Sequence, residues 1–270
     1  MDERLQRRVQ RYGWDKASEY YERFWAAQLA PAHALLLEVA ALAPGESVLD
    51  VACGTGLVTF AAAKQVGTAG RVTGTDLSAE MIKAITARAA ALGVRGEFSR
   101  QDAEALDVPD ATFDVALCAL GLMYVPDPVK ALREMRRVLK PGARAVASVW
   151  GARKNCGWAE IFPIVERRVA SEVCPLFFML GTGDALCDAF TFAGFRNVEM
   201  RRISTTLDYT SGDDALGASF AGGPVALAYS HFDDPTRESA HAEYLESIAG
   251  WKTGTGYTVP GEFVVVRGEV

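Results

Sequence analysis

The sequence is poor in the residues that make small disulfide-linked or metal-binding proteins. It holds 5 cysteines and 3 histidines in 270 residues, and no two cysteines form a C-x-x-C pair. An odd, scattered set of this kind specifies neither a disulfide framework nor a zinc site. We therefore expect no bound metal and a protein of a reducing compartment, the cytoplasm.

Long apolar runs and an excess of positive charge are also missing. Even the apolar stretch Ala34–Ala43 is interrupted by Glu38, whereas a membrane span needs about 18 or more apolar residues. The stretch Met1–Gln10 is charged and has no apolar signal core. The chain carries 28 Lys and Arg against 34 Asp and Glu, so it offers no general basic face for phosphates. We expect neither a membrane nor a nucleic acid as partner.

What the sequence does have is the composition of a folded protein. Hydrophobic residues make up 50% of it and charged residues 23%, which excludes a disordered chain. The length suits one large α/β domain or two modest ones. It contains no internal repeat, and it leaves the oligomeric state open.

Short apolar segments alternate with helical patterns from residue 44 to residue 150. The predicted strands are Ser47–Ala52, Arg71–Thr75, Val94–Arg100, Phe113–Ala119 and Ala143–Trp150. The helices predicted between them include Ser78–Leu92, with Ser78 as cap and Gly93 as stop. Such alternation predicts βαβ units in a mostly parallel sheet, with helices on both faces.

The flanking regions are predicted to be mainly helical. Residues 1–43 form an N-terminal cap, which Pro31 should divide into two helices because proline lacks the N–H donor. Residues 44–150 form a cofactor-binding core. Residues 151–257 contribute helical insertions after strand five and near strand six that shape an acceptor pocket, and residues 258–270 hold the last strand. The expected insertions include a helix over Gly157–Val173 and two helices over Asp213–Gly250, separated near Asp234-Pro235. We expect one domain over residues 1–270.

The most informative segment runs from Val48 to Leu57, where an apolar strand leads into Gly54-Thr55-Gly56 and then into a helix. Glycines permit a sharp turn and a close approach of ligand to backbone. Asp76 ends the next strand, about 20 residues after the turn, where a carboxylate can accept both hydroxyls of a ribose. Asp102 and Ala103 follow the third strand and suit an adenine edge.

Nucleotide binding alone leaves two reactions open. A nicotinamide-dependent oxidoreductase normally has a third glycine or alanine in this turn, and this chain has Thr59 there. Asp50, just before the turn, would repel a pyrophosphate but suits an α-amino group.

The motif order resembles that of class I S-adenosylmethionine-dependent methyltransferases. The segments Val48–Gly56, Gly74–Ile82 and Gln101–Leu106 resemble their first motif, second motif and adenine loop, and Phe113–Cys118 with Val138–Arg144 match the fourth strand and the turn before the fifth. The nearest resemblance is to ubiquinone/menaquinone-biosynthesis methyltransferases, which act on small molecules. It implies a Rossmann-like seven-stranded sheet with an antiparallel last strand, and S-adenosylhomocysteine as product.

The resemblance also implies which residues contact the cofactor. Asp50 and the backbone over Ala52–Gly56 would hold the methionine part, and Asp76 the ribose. Aromatic residues of the N-terminal helix would close the site, with Tyr21 the best candidate among Tyr12, Trp14, Tyr20, Tyr21 and Trp25. The full predicted set is Tyr21, Asp50, Ala52, Cys53, Gly54, Gly56, Asp76, Leu77, Met81, Asp102, Ala103, Ala119 and Leu120.

Methyl transfer needs mainly orientation and a dry site, so the sequence need not contain a catalytic triad. If the acceptor needs a general base, His231 is the candidate, because it follows the variable segment; His33 is expected to be structural. We expect a small-molecule acceptor, with apolar segments hinting at a hydrophobic one. A non-catalytic S-adenosylmethionine-binding protein is the remaining alternative.

Overall fold

The computed structural model describes residues 3–169 and 177–270. The α-helices are α1 Glu3–Ala40, α2 Leu57–Val66, α3 Ala79–Leu92, α4 Pro128–Val138, α5 Ile161–Glu166, α6 Ala185–Phe192, α7 Gly212–Leu216, α8 Ala226–Tyr229 and α9 Asp234–Ser247. The strands are β1 Ser47–Val51, β2 Arg71–Asp76, β3 Gly96–Arg100, β4 Phe113–Ala119, β5 Leu139–Trp150, β6 Arg196–Tyr209, β7 Lys252–Thr253 and β8 Gly256–Glu269.

One sheet organises these elements, in the order β3-β2-β1-β4-β5-β8-β6. Strands β1 to β5 pair in parallel, whereas β8 runs antiparallel to both of its neighbours, β5 and β6. The predicted Rossmann-like sheet with an antiparallel last strand is confirmed. The two-residue strand β7, which pairs with β8 outside this order, was not predicted.

The central strands contribute to two hydrophobic cores, one on each face of the sheet. Along β1, Leu49 belongs to one core and Val48 to the other, because successive side chains of a strand point to opposite faces. Along β4, Ala116 and Val115 divide in the same way. Burial on both faces explains why these strands are almost continuously apolar in sequence.

Helix α3 begins and ends where the sequence predicts. The hydroxyl of Ser78 accepts a hydrogen bond from the backbone N–H of Met81, and Gly93 ends the helix in the left-handed conformation, at φ 66°. This helix follows β2 directly, so its cap fixes the chain just after Asp76 at the edge of the sheet where the strands end.

Helix α1 corrects one prediction, because it runs unbroken through Pro31 over 38 residues. Proline inside a helix costs about 3 kcal/mol. Leu29 before the proline and Ala32 and Leu36 after it are buried. Burial of each large apolar side chain contributes about 1.5–3 kcal/mol. Packing of this helix on the domain therefore outweighs the local preference of proline.

The region after β5 contains shorter helices than expected. The predicted helix Gly157–Val173 is a 3₁₀ turn over Gly157–Glu160 followed by α5, and its last residues lie outside the described part of the chain. Asp233 caps α9 through the N–H of Thr236, close to the boundary predicted at Asp234-Pro235. The division of residues 1–270 into cap, core, insertions and last strand stays a prediction.

Candidate active site

An open cavity lies at the carboxyl ends of β1, β2 and β4, beneath α1. Open parallel sheets bind ligands at this edge. Ten predicted site residues line it: Tyr21, Ala52, Gly54, Asp76, Leu77, Met81, Asp102, Ala103, Ala119 and Leu120. Asp50 and Cys53 instead line a smaller cavity, which shares Tyr21, Ala52, Gly54 and Ala119 with the first.

The glycine turn has the geometry that its sequence requires. Gly54 and Gly56 have φ values of 54° and 91°, which glycine adopts without strain. A Cβ atom on Gly56 would lie 2.5 Å from the ring of Phe60 and 2.9 Å from the side chain of Ile85, so both side chains would have to move to admit it. Gly56 is not among the described residues that line the two cavities. It therefore contributes to the site only by allowing the chain to turn between β1 and α2.

Asp76 ties the end of β2 to this turn. One carboxylate oxygen accepts a hydrogen bond from the backbone N–H of Gly54 at 2.9 Å, and the other accepts from Ser78 at 2.8 Å. Burial raises the pKa of Asp76 to about 6, against the opposing effect of these hydrogen bonds. The carboxylate thus stands at the edge of the cavity with its orientation fixed.

Asp50 is buried, with 2% of its surface exposed. Its Oδ2 accepts a 2.5 Å hydrogen bond from the hydroxyl of Thr59, whereas its Oδ1 has no hydrogen-bond partner among the described residues. Burial raises the pKa of Asp50 to about 7, and the nearby charge of Asp76 adds to the rise. An unpartnered buried carboxylate oxygen lowers its free energy by gaining a cationic partner.

Asp102 lies in the loop after β3 and joins it to the first turns of α1. Its Oδ2 forms a 2.9 Å ion pair with Arg7, and Arg7 also contacts the buried carboxylate of Glu104 at 2.6 Å. The backbone N–H of Glu104 donates to the other oxygen of Asp102. The loop after β3 and the start of α1 are therefore linked by charge at one end of the cavity.

Two non-glycine residues in left-handed conformation mark the adjacent ends of β1 and β4. Ala52 has φ 57° and Leu120 has φ 60°, values that are uncommon for residues with a Cβ atom and are concentrated at functional sites. Both residues line the large cavity. Gly121, next along the chain, must lack a side chain, because a Cβ atom there would lie 2.5 Å from the Cβ of Ala52.

Helix α1 presents only some of its aromatic residues to the cavity. Trp14, Tyr21 and Trp25 line it, and Trp14 packs edge-on against Tyr21 and Tyr124. Tyr12 and Tyr20 are exposed instead. Burial and the charges of Asp76 and Asp50 raise the pKa of Tyr21, so its phenol stays protonated at neutral pH.

The end of the cavity beyond Ala119 and Leu120 is apolar and aromatic. Its walls are formed by Trp25, Leu29, Met123, Trp150, Trp158 and Pro224. The indole rings of Trp150 and Trp158 lie 4.9 Å apart, between centroids. Among the described lining residues, the charged side chains are Arg7, Asp76 and Asp102, all at the other end.

Several lining residues were not predicted from the sequence. Arg7 and Gln10 come from the charged start of α1, and Trp158, Gly223 and Pro224 come from the helical region. No local pattern marks them, since tertiary packing brings them together. Trp150, the last residue of β5, could have been found because it ends a parallel strand at the ligand-binding edge.

His231 is exposed and does not line either cavity, so the structure does not bring it to the other predicted site residues. His33, expected to be structural, lines the smaller cavity. The described cysteines Cys53, Cys118, Cys156 and Cys187 are unpaired, and Cys174 lies outside the described residues. Burial raises the pKa of Cys118 and Cys156 to about 12, which keeps these thiols protonated.

The core of the chain is similar to known methyltransferases. Residues 48–142 match the family model described as a methyltransferase domain. A stretch of 110 residues is 42% identical to the ubiquinone/menaquinone biosynthesis C-methyltransferase UbiE of Hydrogenovibrio crunogenus, covering 40% of this chain and 43% of that protein. A stretch of 104 residues is 44% identical to the 2-phytyl-1,4-naphtoquinone methyltransferase of Synechococcus elongatus, covering 38% of this chain and 45% of that one.

Residues 48–142 are therefore similar to methyltransferase domains. The chain spans less than half the length of these two relatives. Solved structures agree in fold: YcgJ of Bacillus subtilis has a TM-score of 0.58 at 18% identity, covering 88% of this chain and 97% of its own. Phosphoethanolamine N-methyltransferase 2 of Haemonchus contortus, solved with S-adenosyl-L-methionine, has a TM-score of 0.60 at 15% identity, covering 94% of this chain and 57% of its own.

The residues present fit S-adenosylmethionine, the cofactor that the motif resemblance implies. Asp76 offers a carboxylate at the edge of the large cavity, and the unpartnered oxygen of the buried Asp50 suits a cation. Within residues 3–169 and 177–270, no cluster of three or more metal-binding side chains occurs. No described helix is long and apolar enough to cross a membrane.

Proposed function

We propose that this protein transfers the methyl group of S-adenosylmethionine to an uncharged, apolar small molecule and releases S-adenosylhomocysteine. The single observation that carries the proposal is the division of one cavity into two chemically different ends. Asp76 and Asp102 stand at one end, Trp150 and Trp158 at the other, and Ala119 and Leu120 lie between them. This is the arrangement that two ligands meeting in one site would need.

When bound, the cofactor supplies a methyl group activated by its sulfonium sulfur, for in-line displacement by the acceptor. The protein then has to orient the two molecules and exclude water. Helix α1 covers the cavity through Trp14, Tyr21 and Trp25. The electron-rich face of an aromatic ring attracts a cation, so Tyr21 can favour the sulfonium, while the indoles of the apolar end hold a flat acceptor.

The apolar end favours one class of acceptor. Transfer of a charged group into an apolar environment is unfavourable without a partner, and the charged lining residues described above lie at the other end. The names of the two curated relatives point to quinone-type substrates, which agrees with an apolar ring. We infer that the acceptor is a neutral ring compound such as a phenol or a quinol.

The alternatives have less support. A nicotinamide-dependent oxidoreductase would need room for a pyrophosphate at the glycine turn, where Thr59 instead donates to the buried carboxylate of Asp50. A non-catalytic binding protein has no use for an apolar cavity end beside Ala119 and Leu120.

The proposal is tested by incubating the protein with methyl-labelled S-adenosylmethionine and a panel of acceptors. The panel contains phenols and quinols, with and without an apolar tail, and charged amines and carboxylates of similar size. We expect label in the neutral ring compounds and none in the charged ones. Transfer to charged acceptors alone would contradict the acceptor class, and failure to transfer to any acceptor would favour the binding protein.

A further inference from the structure

A buried ion pair lies behind the apolar end of the large cavity. Glu262 of β8 is 5% exposed, and its Oε2 lies 2.9 Å from a guanidinium nitrogen of Arg202, on the neighbouring strand β6. Neither residue is among the described residues that line the two cavities. A buried ion pair is weak evidence for stability on its own, so its role has to be sought in the other contacts of the two side chains.

Glu262 holds the chain directly after Trp150, the last residue of β5. The backbone carbonyl of Glu262 accepts a 2.7 Å hydrogen bond from the N–H of Gly151. Its carboxylate accepts from the backbone N–H of Ala152 at 3.0 Å, and from the side-chain amide of Asn155 at 2.9 Å. The end of β5 that places Trp150 in the cavity wall is therefore fixed to β8 by three hydrogen bonds from one residue.

Arg202 holds a second part of the wall, the turn over residues 177–183. One nitrogen of its guanidinium donates to the carbonyl of Gly181 at 2.8 Å, and another donates to the carbonyl of Gly183 at 2.7 Å. Gly181 lies directly against the end of β5, since a Cβ atom there would be 1.8 Å from the carbonyl oxygen of Trp150. The ion pair thus joins this turn to the same stretch of chain that Glu262 holds.

The turn carries the rings that support the lining side chains. Phe177, which is 2% exposed, packs against Trp158 and Tyr124, with ring centroids 5.7 Å and 5.3 Å away. Phe178 also packs on Trp158, at 5.8 Å. Trp158 and Tyr124 both line the large cavity. A shift of the turn would therefore move the walls of the apolar end.

We propose that Arg202 and Glu262 are positioning residues for the acceptor. Through the end of β5 and the turn over residues 177–183, the pair sets the width of the apolar end between its indole rings. An arginine suits this task, because its planar guanidinium binds a carboxylate and two carbonyls in fixed directions. The inference rests on the acceptor of the proposed function.

The test makes three measurements on each purified variant, at a temperature at which it is folded. Near-ultraviolet circular dichroism reports the coupled indoles of Trp25, Trp150 and Trp158, whose ring centroids lie 4.9 to 5.9 Å apart. Calorimetry gives the affinity for S-adenosylhomocysteine. A second titration gives the affinity of the S-adenosylhomocysteine complex for 1-naphthol, a neutral apolar ring compound.

The main variant combines Arg202→Leu with Glu262→Gln, because loss of Arg202 alone would leave a buried carboxylate unpaired and could unfold the protein. We expect a changed indole signal and roughly tenfold weaker binding of 1-naphthol, since packing contacts with the ring are lost. The affinity for S-adenosylhomocysteine should stay unchanged. Arg202→Lys keeps the positive charge without the planar fork, so it should fall between the wild type and the double variant.

Arg201→Leu is the matched control. Arg201 is the preceding residue of β6, is exposed, and pairs with Glu38 of α1 instead. This variant should match the wild type in all three measurements.

The inference is overturned if the double variant keeps the indole signal and the 1-naphthol affinity of the wild type. It is also overturned if both ligands lose affinity to the same extent, as a merely structural role would produce. Failure of the proposed function gives a different result, in which the wild type itself does not bind 1-naphthol.

Discussion

At the scale of single residues, burial decides what the carboxylates of the site can do. Asp50 and Asp76 lie near each other under α1, and burial raises the pKa of both, to about 7 and about 6. Asp102 keeps an ion pair with Arg7. Three carboxylates that look alike in sequence therefore differ in their partners, and burial raises the pKa of Asp50 and Asp76.

We expect Asp76→Ala to weaken S-adenosylhomocysteine binding by about 1–3 kcal/mol, because it removes the acceptor proposed for the ribose hydroxyls. The hydrogen bond from Gly54 is lost as well. Calorimetric titration measures the change. Asp110→Ala is the matched control, since this exposed carboxylate pairs with Arg137 away from the cavity. Equal affinity of the Asp76 variant and the wild type would refute the ribose assignment.

Asp50→Asn is expected to stabilise the cofactor-free protein in a pH-dependent way. Because the pKa of the buried carboxyl is raised to about 7, the folded protein binds more protons than the unfolded chain between about pH 4 and pH 7. Ionisation of Asp50 therefore lowers the stability of the wild type as the pH rises through this window. Asparagine keeps the Thr59 contact but does not ionise.

The measurement is the free energy of unfolding in urea at pH 5 and pH 8. The variant should have the higher free energy of unfolding. Its difference from the wild type should be larger at pH 8 than at pH 5, by an amount of order 2 kcal/mol. Asp76, Tyr21, Cys53 and Cys118 also interact with Asp50, and all of them remain in the variant. An advantage that does not change between the two pH values would contradict the raised pKa.

At the scale of secondary structure, apolar runs and capping residues were sufficient to predict the strands and helices of the βαβ units. Strand β4 has the predicted bounds, and α3 has the predicted cap and stop. Pro31 shows where such signals fail, because tertiary burial of α1 outweighs a local preference. The short helices after β5 were predicted less well, since their bounds depend on packing and not on periodicity.

Helix α1 closes the cavity, and we expect Arg7→Ala to loosen its first turns. The change removes the contacts of Arg7 with Asp102 and Glu104 and leaves the Glu104 carboxylate, 1% exposed, without this cationic partner. Loss of one partner of a buried pair is destabilising. Hydrogen exchange over residues 3–20 should become faster, and S-adenosylhomocysteine should dissociate faster.

Arg8→Ala is the control for this variant, because Arg8 is the next residue of α1 and is exposed. It should change neither hydrogen exchange nor dissociation. The same exchange rate in Arg7→Ala and the wild type would show that the ion pairs do not hold the helix in place.

At the scale of the whole molecule, the two ends of the cavity differ in how far the sequence predicted them. The end with Asp76 and Asp102 is built from turns that directly follow strands, so motif spacing indicates Gly54, Asp76 and Asp102. The apolar end is assembled from α1, β5 and the helical region, and no linear pattern unites Trp25, Trp158 and Pro224. His231, chosen from sequence position alone, lies outside the cavity.

This division predicts that the two ends can be changed separately. Trp158→Phe reshapes the apolar end, where Trp158 contacts Trp25 and Trp150. We expect a several-fold higher KM for the acceptor and unchanged affinity for S-adenosylhomocysteine. Trp251→Phe, at a partly exposed position outside the cavity, serves as control. A loss of cofactor affinity in Trp158→Phe would contradict the division.

The central claim is that the cavity under α1 binds S-adenosylmethionine, and calorimetric titration of the purified protein tests it most directly. The account predicts saturable binding of S-adenosylmethionine and S-adenosylhomocysteine at one site per chain, and no binding of NAD at the same concentrations. Binding of NAD without binding of S-adenosylmethionine would contradict it.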